Sequence, residues 1–284
     1  MKDKEAKKDE AMKDKISLAG DLGSGKSTVS DILIKKLGAE YYSTGAIVRS
    51  IANKRGMTVV ELNKYMETHP EIDHEIDDGL KALGEVDKFL IIDSRMAWYF
   101  TPDTFKVYLS CDIETSAARI MGANRQGEHA ASFEDTVADT RARRESEKKR
   151  YMEQYGQDIK DLTNYSLIVD TSHATPDEVA AAIICGFDAW TMNKSYRAAF
   201  ICPERLNFHD DEVDASNLFN LTSDIELGLE IPEITVFERD GEFFVQDGND
   251  SAVAYLTVTE RYIPARLVPE CKTDRAYVKM KNSL

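Results

Sequence analysis

The sequence contains no apolar run approaching the roughly 18 to 20 residues that a membrane span requires. Its first residues also lack the apolar core of a secretory leader. Cysteine is scarce: Cys111, Cys185, Cys202 and Cys271 lie far apart with no C-x-x-C pair. That spacing excludes the usual zinc patterns and a disulfide framework, and all four are expected to be reduced core residues. Positive charge is in deficit, with 36 Lys and Arg against 51 Asp and Glu and a formal net charge of −15. The field of such a molecule repels nucleic-acid polymers, so an anionic ligand must be met by local clusters of Arg and Lys. These deficits together imply a cytoplasmic protein that acts on a small molecule, without membrane or polymer partners.

What is present suits a folded enzyme. The 284 residues are 42% apolar and 31% charged, enough to bury a sizeable core and long enough for two domains. Residues 1–15 alternate Lys with Asp and Glu and read as a charged flexible tail. From Ile16 to about Ile184, short apolar runs alternate with amphipathic stretches, the α/β pattern of a parallel sheet flanked by helices. Five runs qualify as strands: 16–20, 40–43, 89–93, 105–110 and 167–170. Val29, Ile32, Leu33 and Leu37 have helical spacing and end at Gly38. Ser132 and Asp135 form a capping-box-like start to a long charged helix that runs to Gly156. A third helix, 176 to about 190, should carry Val179, Ala182, Ile183 and Cys185 on its inward face.

The texture changes near Lys194, where turn residues and short β-type runs replace long helices. The expected organisation is therefore an α/β domain of five parallel strands over 16–192 and a smaller α+β domain over 193–284. Within the latter, 234–238 and 242–246 read as a hairpin around Asp240-Gly241, followed by a helix near Ala252 to Leu256.

Residues 20–27, Gly-Asp-Leu-Gly-Ser-Gly-Lys-Ser, fit G-x-x-x-x-G-K-[ST] at every fixed position, between a strand and a helix. Gly20, Gly23 and Gly25 let the backbone approach phosphate oxygens, and with Ser24 and Thr28 they complete the expected ATP cradle. Lys26 would neutralise the β- and γ-phosphates, and the Ser27 hydroxyl is placed to ligate Mg²⁺. Asp93 ends a strand at the sheet's carboxyl edge, where it can serve the same metal. Arg49 and Arg95 follow the second and third strands and should face that edge, gripping an acceptor phosphate. Arg119 and Arg125 flank a glycine-containing segment that suits a lid bearing catalytic charge. Arg143, Glu147 and Arg150 share one helix face. His69, His74 and His129 lack ligand-like spacing.

These motifs resemble cytidylate kinases, especially the archaeal type. The resemblance rests on the cradle, Ser43-Thr44-Gly45 with Arg49, residues 71–77, Asp93-Ser94-Arg95, and residues 140–147 with Arg150-Tyr151, Tyr155-Gly156 and Asp158-Ile159. It implies a P-loop nucleoside monophosphate kinase that uses ATP and Mg²⁺. Thr44, Gly45, Arg49 and Arg95 would hold the acceptor, and Arg143, Glu147 and Arg150 would face its nucleotide and phosphate. CMP or dCMP is the expected acceptor. Another nucleotide, a small phosphorylated metabolite, or a nucleotide-responsive regulator with little turnover stay open as alternatives. The C-terminal region resembles the ParB/sulfiredoxin-like fold in its hairpin, loop, helix and final strand. Asn249, Asp250 and Ser251 stand where those relatives carry His or Glu and Arg, which implies a module without phosphotransfer of its own.

Overall fold

The computed structural model describes residues 14–66, 68–123, 132–210, 213–258, 261–271 and 276–279. Most of the expected 1–15 tail, and Arg125, Gly127 and His129, lie outside the described residues. In chain order the elements are β1 (Ile16–Gly20), α1 (Lys26–Leu37), β2 (Glu40–Ser43), α2 (Thr44–Arg55), α3 (Val59–Met66), α4 (Glu71–Gly84), β3 (Leu90–Asp93) and the single turn α5 (Ala97–Phe100). There follow β4 (Phe105–Ser110), α6 (Ile113–Gly122), α7 (Phe133–Tyr155), β5 (Leu167–Asp170), α8 (Pro176–Met192), β6 (Ala198–Ile201), β7 (Leu206–His209) and α9 (Ala215–Glu226). The chain closes with β8 (Thr235–Arg239), β9 (Glu242–Asp247), α10 (Asn249–Thr257), β10 (Ile263–Leu267) and β11 (Tyr277–Val278).

The five expected strands form a contiguous parallel block in the order β5-β4-β1-β3-β2. They are not a sheet by themselves, and the five-stranded expectation is corrected here. Strand β6 adds parallel to β5, β10 adds antiparallel to β6, and β8, β9, β7 and β11 continue outward. The result is one mixed sheet of eleven strands. The expected division at 192/193 falls between α8 and β6. Across it, one apolar cluster joins Tyr108, Tyr165 and Ile168 to Phe208, Val236 and Phe243.

Local chemistry sets the helix boundaries. Helix α7 starts where Ser132 Oγ accepts from the Asp135 amide at 3.1 Å, and it stops at Gly156 in the left-handed region. Helix α8 opens with a reciprocal capping box between Thr175 and Glu178 and with Pro176 at its first position. Its face differs from expectation in one respect: Val179 and Ile183 are buried, but Cys185 is exposed. Cys271 is exposed as well, so only Cys111 and Cys202 fit the description of core thiols. No helix among the described residues is long and apolar enough to cross a membrane.

A buried ion pair fastens the outer strands to the parallel block. Asp170, at the end of β5 and fully buried, accepts from Arg205 Nη1 at 3.1 Å; the Arg205 side chain is only 4% exposed. Ser172 and the Cys202 amide also donate to Asp170. Removing one partner of such a pair strands a desolvated charge, whereas replacing both with apolar or neutral groups does not. Arg205→Ala is therefore expected to cost about 3–5 kcal/mol in urea denaturation. Asp170→Asn combined with Arg205→Met should recover most of that loss.

Candidate active site

The phosphate loop is shaped by two glycines that tolerate no side chain. Gly20 has φ +149°, and a Cβ there would lie 2.5 Å from the Leu109 carbonyl oxygen. Gly23 has φ +73°, and its Cβ would lie 2.5 Å from the Ser116 carbonyl oxygen. These close approaches press the loop onto β4 and α6 and turn it into the first turn of α1. Gly25 is the N-cap of α1 and provides no side-chain acceptor. The first N–H groups of α1 are thus left for an external anion, at the positive end of the helix dipole.

Lys26 folds onto the loop itself. Its Nζ donates to the Gly20 oxygen at 2.9 Å and the Asp21 oxygen at 2.8 Å, with the Ser24 hydroxyl at 3.4 Å. Burial, reinforced by the nearby Arg95 charge, pushes the Lys26 ammonium down from 10.5 to about 7. Asp21 is locked beneath the loop. Its carboxylate accepts from Lys160 Nζ at 2.5 Å, from the Tyr108 hydroxyl at 3.0 Å and from the Cys111 amide at 3.0 Å. Burial opposes its ionisation, yet Lys160 and Arg144 hold the carboxyl well below the usual range.

One cleft of about 220 Å³ runs from the loop to the arginines, and it is lined by nearly every residue the sequence singled out. Gly23 through Thr28 form one wall. Thr44, Gly45 and Arg49, in the first turns of α2, form a second, and Arg143, Glu147, Arg150 and Tyr151 of α7 form the third. Asp93 and Arg95 form the floor at the carboxyl end of β3. Register explains the placement: β3 pairs in parallel with both β1 and β2, so the three strand ends open onto the same edge.

Glu147 is the hub of the arginine wall, its side chain 13% exposed. It accepts from Arg95 Nε at 3.0 Å and from Arg143 Nε at 3.3 Å. Burial raises its pKa, but Arg95, Arg143 and Arg150 together bring it below the ordinary value. Arg95 also donates from Nη1 to the Gly20 carbonyl, joining the acceptor side of the cleft to the phosphate loop. Arg150 lies over the Tyr151 ring at 5.0 Å and donates to its hydroxyl at 3.3 Å. Arg49 is exposed and makes no hydrogen bond or ion pair among the described residues.

Asp93 accepts from the Tyr41 hydroxyl at 2.9 Å and from Ser43 Oγ at 3.5 Å. Burial and the Asp93 charge push the Tyr41 phenol up to about 12, so it remains a donor throughout the working range. Ser27, in the first turn of α1, is exposed in the same cleft. Arg119 lies elsewhere. Its guanidinium donates to the Thr171 carbonyl at 2.7 Å and to Thr171 Oγ1 at 3.3 Å. It lines a second cavity of about 270 Å³ beside Gly23, Ser24, Gly25 and Thr28. The sequence reading gave no role to Arg144, Lys160 or Tyr41. Their partners lie 28 to 139 residues away, and no local pattern marks such pairs.

A phosphate loop whose open helix end shares a cleft with four arginines defines a P-loop phosphotransferase acting on a second anionic substrate. The sequence signature of the cytidylate kinase-like family spans residues 15–173, and the chain belongs to that family. A cytidylate kinase from Thermoplasma volcanium is 36% identical over 189 residues, covering 64% of this chain and 95% of that protein. One from Sulfurisphaera tokodaii is 36% identical over 170 residues, covering 59% and 92%. Among solved structures, a shikimate kinase from Acinetobacter baumannii aligns with 62% of this chain and 94% of its own, at 19% identity and a TM-score of 0.41.

The depressed Lys26 value has a measurable consequence. An anion on the loop stabilises the ammonium and raises its pKa, so nucleotide binding must draw a proton wherever the free protein has lost one. Calorimetry at about pH 8, in buffers of different ionisation heat, should show uptake approaching one proton per nucleotide. At about pH 6 the uptake should vanish, and Lys26→Met should abolish it at pH 8.

Proposed function

We propose that this chain transfers the γ-phosphate of ATP to a nucleoside monophosphate, CMP or dCMP, yielding ADP and the nucleoside diphosphate. The observation that carries this reading is the single cleft in which the phosphate loop faces Arg49, Arg95, Arg143 and Arg150. Motors and GTPases need a cradle but not a second cationic wall; a kinase whose acceptor is itself a phosphate needs both.

In this reading the triphosphate lies on the α1 N-terminus, and Lys26 exchanges the Gly20 and Asp21 carbonyls for phosphate oxygens. The cavity beside Arg119 and Thr171 lies on the side of the loop away from the arginine wall and suits the donor's base. Thr44, Gly45, Arg49 and Arg95 take the acceptor phosphate, with Arg143 and Arg150 neutralising the charge that accumulates as two anions meet. Ser27 and Asp93 fit a Mg²⁺ ion, which takes few protein oxygens and completes its shell with phosphates and water. When bound, the ion supplies a further positive charge to the transferring group. No general base is required, since the attacking oxygen already belongs to a phosphate anion. Residues 193–284 serve as a structural, regulatory or substrate-sensing module. Their hairpin β8–β9, helix α10 and strand β10 follow the order of a ParB/sulfiredoxin-like fold, and Asn249, Asp250 and Ser251 supply no phosphate-binding cation.

Lys26→Ala should lower kcat by a factor of order 10² to 10³, through loss of the charge that follows the transferring group. Arg49→Ala should raise the acceptor KM and lower kcat while ATP affinity stays within about threefold, because only the acceptor loses its clamp; Arg95→Ala should do the same and, through the lost bond to the Gly20 carbonyl, weaken ATP as well but by a smaller factor than the acceptor. Initial-rate kinetics with both substrates varied will distinguish the two classes. Equal loss of ATP affinity in the arginine variants would place them on the donor.

A further inference from the structure

The phosphate loop rests on the segment that leaves β4 and opens α6. The Asp21 amide donates to the Leu109 carbonyl at 2.9 Å, and the Cys111 amide donates to the Asp21 carboxylate at 3.0 Å. Gly20 and Gly23 press against Leu109 and the Ser116 carbonyl so closely that neither position has room for a Cβ. Residues 109–116 thus form a shelf, and the loop takes its position from theirs.

Ser172 holds this shelf from the far side. Its hydroxyl accepts from the Asp112 amide at 3.1 Å and from Arg205 Nη1 at 2.6 Å, and it donates to Asp170 Oδ1 at 2.7 Å. A hydroxyl has one donor and two acceptor sites, so that of Ser172, which is buried, is saturated. Arg205 reaches on to the Gly241 carbonyl at the tip of the β8–β9 hairpin. The bonds therefore run from the hairpin tip through Arg205 and Ser172 to the Asp112 amide, and from the adjoining Cys111 amide to Asp21.

The same two residues at the end of β5 hold the cavity on the other side of the loop. Arg119, which lines that cavity, donates to the Thr171 carbonyl at 2.7 Å and to the Ser172 carbonyl at 3.5 Å. The acceptor arginines Arg49, Arg143 and Arg150 stand on α2 and α7 instead. A shift of residues 171–172 is felt first on the donor side. The family signature ends at residue 173, so Arg205 and the hairpin belong to a part of the chain that it does not describe.

With the donor placed as in the proposed function, we infer that Arg205 is a positioning residue of the ATP site: through Ser172 it fixes both the shelf under the phosphate loop and the Arg119 wall. The C-terminal region thereby takes part in ATP binding without touching ATP. Groups that bind phosphate must be held within about 0.5 Å of the productive geometry. A shelf that has lost its far-side bond lets the loop spread over arrangements that bind less well, and the apparent affinity falls with the fraction that remains competent.

The test reads binding in the full-length protein. Ser172→Ala removes the hydroxyl, Ser172→Thr keeps it, and Asp170→Asn combined with Arg205→Met removes the ion pair from both sides. Titration calorimetry gives the affinities for ATP and for CMP at a temperature well below each unfolding midpoint. Ser172→Ala and the paired variant are expected to weaken ATP about fivefold, the size of one lost hydrogen bond, with CMP within about twofold of wild type. Ser172→Thr should match the wild type for both ligands. A paired variant that unfolds at the wild-type midpoint and still binds ATP less well separates positioning from stability; if that variant does not fold, the Ser172 pair decides. Wild-type ATP affinity in folded Ser172→Ala would overturn the role of Arg205, as would ATP and CMP weakened by the same factor. A wild type that binds no ATP would overturn the donor placement itself, a result distinct from unchanged variants of a protein that binds it.

Discussion

A single carboxylate, Glu147, makes the rest of the active cleft possible. Arg95, Arg143 and Arg150 must converge to receive phosphate, and three guanidinium groups in a partly buried cleft repel one another when no anion is present. Glu147 sits among them and bonds two directly. It holds the cations in place before the acceptor arrives. Because Arg95 also grips the Gly20 carbonyl, the acceptor wall and the phosphate loop are fixed relative to each other. That alignment is what in-line transfer requires.

The same economy appears beneath the loop. Asp21 could have been any residue as far as the phosphate motif is concerned, yet here it is a buried anion neutralised by Lys160 and Arg144. The loop is therefore anchored from below by charges that belong to neither substrate. One anchor, Lys160, looks across a cavity toward the β8–β9 hairpin. With β6 extending the parallel block and Arg205 paired to Asp170, the C-terminal region is built into the same sheet and lies against the back of the phosphate loop.

What was legible in the sequence follows the range of the interactions. The cradle was legible because its residues are contiguous and each has a local job. The arginine face of α7 was legible from its i, i+4, i+7 spacing, but the choice of Arg95 as the partner of Glu147 spans 52 residues and leaves no local trace. The parallel strands showed as apolar runs bounded by turns. The continuation of the sheet did not, because β6, β7 and β11 are only two to four residues long and their pairings are non-local. Cys185 was assigned to the wrong face because α8 is apolar nearly all round, which erases the period that identifies a buried stripe. Arg119 illustrates the remaining limit: its charge was evident, but its capture by Thr171 depends on where β5 ends.

A phosphate-bearing acceptor whose base is cytosine is expected to bind opposite the ATP cradle. Coupled measurement of ADP formation with ATP and Mg²⁺, against each common ribo- and deoxyribonucleoside monophosphate in turn, tests it most directly. The expected result is slow ATP turnover alone and strong stimulation by CMP or dCMP, with the corresponding diphosphate formed in equal amount to ADP. Stimulation by no cytidine monophosphate would contradict the assignment of the acceptor, and turnover indifferent to every monophosphate would contradict the kinase itself.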